Sequence, residues 1–174
     1  MLFRSQIAKL YGCTVIATAS GDKLEKCKQL GADYAVDHRN PDWSKEVFKI
    51  TKEIVKSSGG VPGIDVSFDH IGETHWNQQL TLLKYGATLV SCGATTGYDA
   101  KTDLRHIFFK GTNILGSTQG TKAELDDGLY WMGKKKIKSV IDSVYTFEQA
   151  AEAHTKMLTG KGLFGKILMK PEGA

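Results

Sequence analysis

The chain has 174 residues, 41% of them hydrophobic and 24% charged, with a formal net charge of +4. That length suits one ordinary domain with a real core, and the composition is that of a soluble globular protein. The charge is mild and dispersed. The local cluster of Lys134, Lys135, Lys136 and Lys138 has no interleaved aromatics and reads as a solvated helix end, which argues against a nucleic-acid partner.

In chain order, residues 3–11 read as a helix with Phe3, Ile7, Leu10 and Tyr11 on one side and Gly12 at its end. A strand over 13–18 follows. Ser20 is placed to cap a helix over 22–30 that buries Leu24, Cys27 and Leu30 and stops at Gly31. A short strand covers 34–37. Asn40-Pro41 opens a longer helix, with proline in its first turn and Trp43, Val47, Phe48, Ile50 and Ile54 as its apolar positions. The stretch 57–63 is a loop, 64–68 a strand and 76–83 a helix.

The stretch 86–120 is the one around which the chain is arranged. Residues 87–92 have the β-branched, apolar character of a buried strand, and Gly93 to Gly97 break it with small residues. The pattern then repeats, with a strand over 112–115 and small residues at Gly116, Ser117 and Thr118. Small residues beyond a strand's carboxyl end let a flat ligand lie against bare backbone, which in open α/β sheets is the dinucleotide crevice. Further on, 122–136 reads as a helix, 140–145 as extended, 147–158 as a helix and 164–169 as a last strand. Alternating strands and helices predict an α/β fold with a parallel sheet covered on both faces.

Cys13, Cys27 and Cys92 are odd in number and far apart, fitting neither a disulfide framework nor a zinc knuckle. No run of about 18 apolar residues and no signal-peptide core is found, so the expectation is a cytoplasmic protein without membrane contact.

Short motifs need their context. Gly160-Lys161-Gly162-Leu163-Phe164-Gly165 matches Gly-x-Gly-x-x-Gly but follows a helix and precedes a strand, the reverse of the phosphate-binding arrangement. Tyr130 and Lys134 match the Tyr-x-x-x-Lys spacing of short-chain dehydrogenases, where the lysine lowers the phenol's pKa; the bland alternative is a half-buried tyrosine and a solvated lysine. Ser20-Gly21-Asp22-Lys23 mimics Ser-x-x-Lys without its partner motifs. His70 and His75 flank Glu73 at a spacing that is not a zinc helix, so Asp69, His70 and Gly72 read instead as a turn within reach of a cofactor. His106 reads as a surface or packing histidine.

In dinucleotide folds an acid at the end of the second strand accepts from the ribose 2′-hydroxyl. Ala17-Thr18-Ala19-Ser20 carries none, and a hydroxyl with Lys23 would accommodate a 2′-phosphate, which favours NADP over NAD.

These residues together are similar to the cofactor-binding half of the medium-chain dehydrogenases and reductases, a superfamily that includes zinc-type alcohol dehydrogenases and quinone oxidoreductases. The resemblance runs through Val15-Ile16-Ala17-Thr18, Lys23-Leu24-Glu25-Lys26, Leu30-Gly31-Ala32-Asp33 and Gly63-Ile64-Asp65-Val66. It continues through Asp69, Gly72, Gly86-Ala87-Thr88-Leu89-Val90, Gly93, Ile114-Leu115-Gly116-Ser117 and Phe164-Gly165-Lys166-Ile167-Leu168. It implies a Rossmann-type doubly wound parallel sheet over residues 1–174. It places Thr18, Ser20 and Lys23 against the adenosine ribose, and His38 at the adenine edge. Gly93, Ala94 and Thr95 would line the nicotinamide, Gly116, Ser117 and Thr118 its carboxamide side, and Lys166 the pyrophosphate.

The resemblance also implies an N-terminal catalytic domain that supplies any zinc ligands and substrate contacts, together with a first strand and glycine-rich loop. None of these is found among the 174 residues, so the chain looks like a truncated gene product or an excised fragment with no catalytic residue of its own. A first strand lies centrally in the family's sheet, which leads to the expectation that either 164–169 or a strand from a second copy takes its slot. Pairing through the edge strand near Ile114 would make a homo-oligomer. The contrasting function is a non-catalytic remnant that binds nucleotide weakly or serves as an interaction module.

Overall fold

A computed structural model describes residues 2–171, which form two compact units, one of residues 2–37 with 121–171 and one of 38–120. The architecture is α/β, with strands and helices alternating and every strand pairing parallel.

The first unit opens with α1 (Leu2–Leu10), β1 (Ile16–Ala19), α2 (Lys23–Gln29) and β2 (Tyr34–Asp37). β1 and β2 pair from Ile16↔Tyr34 to Ala19↔Asp37. Ala17, Ala19, Cys27 and Ala32 form their core, with Leu24 and Phe164 packed against it. The small side chains let α2 lie close to the strands. Lys9 closes the entry to β1: its ammonium donates to the Cys13 carbonyl at 3.0 Å and to Asp33 at 2.9 Å, and Asp33 accepts from the Val15 amide at 2.7 Å. α2 starts after Asp22, not Ser20, and no side chain caps it.

The same unit ends with α6 (Lys122–Gly133), β6 (Ile141–Thr146), α7 (Ala150–Thr159) and β7 (Lys166–Lys170). α6 begins in a capping box of Thr121 and Glu124. It stops at Gly133, short of the expected end, and Lys135 takes a left-handed φ of 56° just beyond. β7 pairs with β6, from Ile141↔Lys166 to Thr146↔Lys170. That overturns the expectation that 164–169 fills a gap beside β1 or β3. A strand–helix–strand unit closes its ends over a short loop of chain, whereas reaching β1 requires a much longer closure. The buried Asp142 carboxylate organises the unit, accepting from the Phe164 amide at 2.8 Å and pairing with Lys156.

The second unit contains α3 (Trp43–Val55), β3 (Ile64–Asp69), α4 (Trp76–Leu82), β4 (Leu83–Ser91), α5 (Leu104–Phe108) and β5 (Asn113–Gly116). α3 buries Trp43, Val47 and Thr51, at i, i+4 and i+8, so one stripe faces inward. Phe48, expected inside, is 38% exposed, and Pro41 precedes the N-cap Asp42 rather than sitting in the first turn.

β3, β4 and β5 lie in that order, Ser67 opposite Leu89 and Leu89 opposite Ile114. Leu80, Leu83, Ala87 and Leu89 form the core, with Ile64 and Trp76 against it. On the other face Val66, Phe68 and Leu115 are each about half exposed, so this sheet is not covered on both sides as expected. β4 starts at Leu83, directly after α4 and ahead of the expected position. The Lys110 ammonium permits this abrupt switch by donating to the carbonyls of Thr81 and Leu83 at 2.9 Å and of Leu80 at 3.3 Å, the orphan acceptors of a helix end. α5, missed in the sequence, is capped by Asp103, which accepts from the Arg105 amide at 3.0 Å. Among the described residues no strand pairs with the second edge of β1, β3 or β5.

Candidate functional site

The parallel ladder brings the tips of β4 and β5 level, with Ser91 opposite Gly116. One further bond, from the Ser117 amide to the Ser91 carbonyl at 2.8 Å, carries the pairing past the strand ends. Beyond it, Ser91, Cys92, Gly93, Gly116, Ser117, Thr118 and Gln119 line a recess of about 580 Å³. A Cβ added at Gly116 would meet no protein atom within 4 Å; it would stand in open space. Glycine therefore keeps main chain bare at the recess, and its φ does not demand glycine there.

The tips of β3 and β4 are locked by a second set of bonds. The Cys92 amide donates to the Asp69 carbonyl at 2.8 Å, and the thiol donates to the same oxygen at 3.1 Å. Thr95 donates to the His70 carbonyl through its amide at 3.2 Å and its hydroxyl at 2.8 Å. Thr96 does the same to Ile71, at 2.8 Å for both. Gly72 is indispensable here: with φ of +86°, a Cβ would sit 2.5 Å from the Gly97 carbonyl and 3.0 Å from the Ala94 Cα. Thus Gly93, Ala94 and Thr95 form a loop bound to the His70–Gly72 turn, with Gly93 facing the recess and the Thr95 hydroxyl committed to His70. Asp69 is 1% exposed and turns its carboxylate inward, accepting from Ile71 and Gly72 amides at 3.1 Å and from Gln79 Nε2 at 2.8 Å.

His38 lies edge-on to His75, ring centroids 5.3 Å apart, and Trp43 lies 5.2 Å from His75 on the same cluster. Burial, with the nearby His38 charge, pushes the His75 pKa down. This is an aromatic cluster rather than a metal pair, and among the described residues no three His, Cys, Asp or Glu side chains converge as metal ligands. These residues do not fit a zinc site, and no zinc chemistry is assigned to them.

Thr18, Ser20, Lys23 and Lys166 belong to the first unit, and the residues lining the recess to the second. Thr18 lies in β1, Ser20 and Lys23 at the turn into α2, and Lys166 at the start of β7. Sequence reasoning missed Asp37. Its carboxylate accepts from the Gly21 amide at 3.4 Å, so the tip of β1 has an acid nearby after all, supplied by the neighbouring strand. The signal was the terminal Asp of the 34–37 strand, legible only once that strand is paired in register with β1.

The motif alternatives lose their geometry. Lys134 Nζ lies over the Tyr130 ring, 5.5 Å from its centroid, rather than at the phenol oxygen. Gly160 is the left-handed C-cap of α7, so Gly160–Gly165 ends a helix instead of starting one. Among the described residues no helix is long and apolar enough to cross a membrane.

Residues 2–134 match the family model described as zinc-binding dehydrogenase. A quinone oxidoreductase of Pongo abelii is 30% identical over 176 residues, covering 94% of this chain and 49% of its own length. A crotonyl-CoA reductase of Streptomyces collinus is 26% identical over 186 residues, covering 98% of this chain and 41% of its own. Among solved structures, an NAD-dependent alcohol dehydrogenase superposes with a TM-score of 0.81 at 37% identity, covering 95% of this chain and 46% of that one. The chain thus spans about half the length, or less, of the relatives it matches. With a Rossmann-like α/β fold and a family model matching most of its length, the chain belongs to the zinc-binding dehydrogenase family of the medium-chain dehydrogenase/reductase superfamily.

Proposed function

We propose that residues 1–174 are the cofactor-binding domain of an NAD(P)-dependent oxidoreductase, of alcohol dehydrogenase or quinone reductase type. The observation that carries this reading is the recess at the level tips of β4 and β5, where Gly93 and Gly116 leave main chain bare. A nicotinamide ring is flat and carries a carboxamide. The recess is lined by glycine backbone, which suits the ring's face, and by the hydroxyl-bearing Ser117 and Thr118, which suit the carboxamide. In the first unit, Thr18, Ser20 and Lys23 offer hydroxyls and a cation to the adenosine ribose, and Lys166 offers a cation to the pyrophosphate; Lys23 favours NADP, while the Asp37 carboxylate at Gly21 favours NAD. His38 takes the adenine edge, and Asp69 and His70 hold the turn beside the nicotinamide.

The bound cofactor supplies hydride to, or takes it from, a carbonyl, alcohol or activated alkene; this chain's residues bind and orient it. Substrate-contacting groups of the whole protein are not assigned to these residues. A second copy pairs at the outer edge of β5, which has no partner among the described residues.

The test is a titration of NADPH, followed by its fluorescence, on the wild-type chain and on Gly116→Val. Binding is expected to be saturable and weaker than micromolar, because these residues contain no glycine-rich turn at a helix start. The Gly116→Val variant is expected to fold normally, since valine suits a strand, and to lose the binding. Saturable binding that is unaffected by Gly116→Val would remove the recess from the reading. No binding by either protein would favour the non-catalytic remnant.

A further inference from the structure

We propose that Gln79 is a positioning residue: through Asp69 it sets the backbone of the His70–Gly72 turn and, through that turn, the Gly93–Thr96 loop beside the recess. As a role in holding a cofactor, this rests on the reading of the recess given above; as a statement about the loop, it stands alone.

Asp69 is among the most deeply buried side chains of the second unit. A carboxylate out of water costs several kcal/mol unless N–H or O–H donors replace the lost hydration. Three donors do so here, the amides of Ile71 and Gly72 and the side-chain amide of Gln79. The first two bend the chain back over its own carboxylate, so wherever the carboxylate sits, the turn follows. Gln79, on α4, holds it from a separate element, donating to the same Oδ1 as the Ile71 amide.

The orientation of the Gln79 amide is dictated by chemistry. An ionised carboxylate only accepts, so Nε2 must face Asp69, and Oε1 is left for the Ser67 hydroxyl, which donates to it at 2.8 Å. Ser67, Gln79 and Asp69 therefore form a directed relay from β3 and α4 to the strand tip. From the turn, the geometry passes to the next loop through the bonds of Thr95 to His70 and Thr96 to Ile71. Gly93 rests against the same turn, an added Cβ lying 3.3 Å from the His70 carbonyl. Neither Ser67 nor Gln79 lines the recess. Each acts only through other residues.

A glutamine at this place could instead be packing, a polar residue beside Leu80 that leucine would replace without effect on the loop. Amide hydrogen exchange on the ligand-free chain separates the two. In Gln79→Leu, the amides of Gly72, Thr95 and Thr96 are expected to exchange about 10-fold faster, the effect of one lost charge-assisted bond. Those of Leu89 and Val90 inside β4 are expected to keep their protection. In Gln79→Glu the same amides should be unprotected near about pH 7, where two carboxylates face each other. They should regain protection near about pH 5, where one shared proton restores a donor. The wild-type chain is the reference for this step, because His75, which interacts with His38 and Asp69, is itself a titratable group whose pKa burial pushes below its ordinary value. Ser67→Ala, a milder change that frees the amide to turn, should accelerate the same exchange by a smaller factor and serves if Gln79→Leu does not fold.

Unchanged exchange at Gly72, Thr95 and Thr96 in the Gln79 and Ser67 variants, or a Gln79→Glu chain without a pH step beyond wild type, overturns the proposal. NADPH titration of the same proteins keeps the two readings apart. Altered exchange with no NADPH binding even by wild type would sink the cofactor reading and leave the positioning role in place.

Discussion

Asp37 is the residue through which the first unit can be made to report its ligand. Its carboxylate accepts from Gly21 at the turn where Ser20 and Lys23 lie, so a 2′-phosphate brought to Lys23 would arrive beside a negative charge. Two unit charges about 4 Å apart interact by about 1 kcal/mol in bulk water, and by more where protein excludes solvent. Asp37→Asn is accordingly expected to raise affinity for NADPH by about 5-fold or more while leaving NADH nearly unchanged, as read by parallel fluorescence titrations. An equal change for both cofactors would place the 2′-phosphate elsewhere. At Gly116 the argument is steric instead, and its valine variant tests the recess without touching a charge.

Among the elements, α4 carries the second unit's architecture, because both of its ends are specialised. At its C-terminus Lys110 satisfies three carbonyls and lets β4 begin with no intervening loop; burial there pushes the lysine's pKa down. Lys110→Met keeps the apolar stem but removes the donors, and a loss of about 1–2 kcal/mol in urea denaturation is expected. At its N-terminus His75 packs against both His38 and Trp43, with a lowered pKa. The fold thus favours the neutral ring. Its contribution is fully present above the ordinary histidine pKa of about 6.5 and is lost as pH falls through the lowered value. The melting temperature of wild type should fall more steeply below about pH 6.5 than that of His75→Gln. Parallel slopes would show that His75 is not coupled to folding.

At the scale of the molecule, every residue of β5 is exposed and its outer edge carries no partner among the described residues, which supports the proposed pairing of two copies there. Light scattering is expected to give twice the chain mass for wild type and the single mass for Ile114→Lys; a wild-type monomer would end that proposal. The alternation of strand and helix, and the small residues after 87–92 and 112–115, were legible from the sequence by itself. Both are short-range: side-chain period and glycine freedom are properties of neighbouring residues, and they located the strand tips within a residue or two. The resemblance to the dehydrogenase superfamily was equally legible, because it rests on an ordered series of such local motifs. What only the tertiary structure decided is who meets whom. The pairing of β7 with β6, the approach of Asp37 to Gly21, the Lys110 staple and the Ser67–Gln79–Asp69 relay all join residues distant in sequence or on different elements. Such contacts are chosen by competition among burial, hydrogen-bond satisfaction and chain closure over the whole fold, and no local pattern records the outcome.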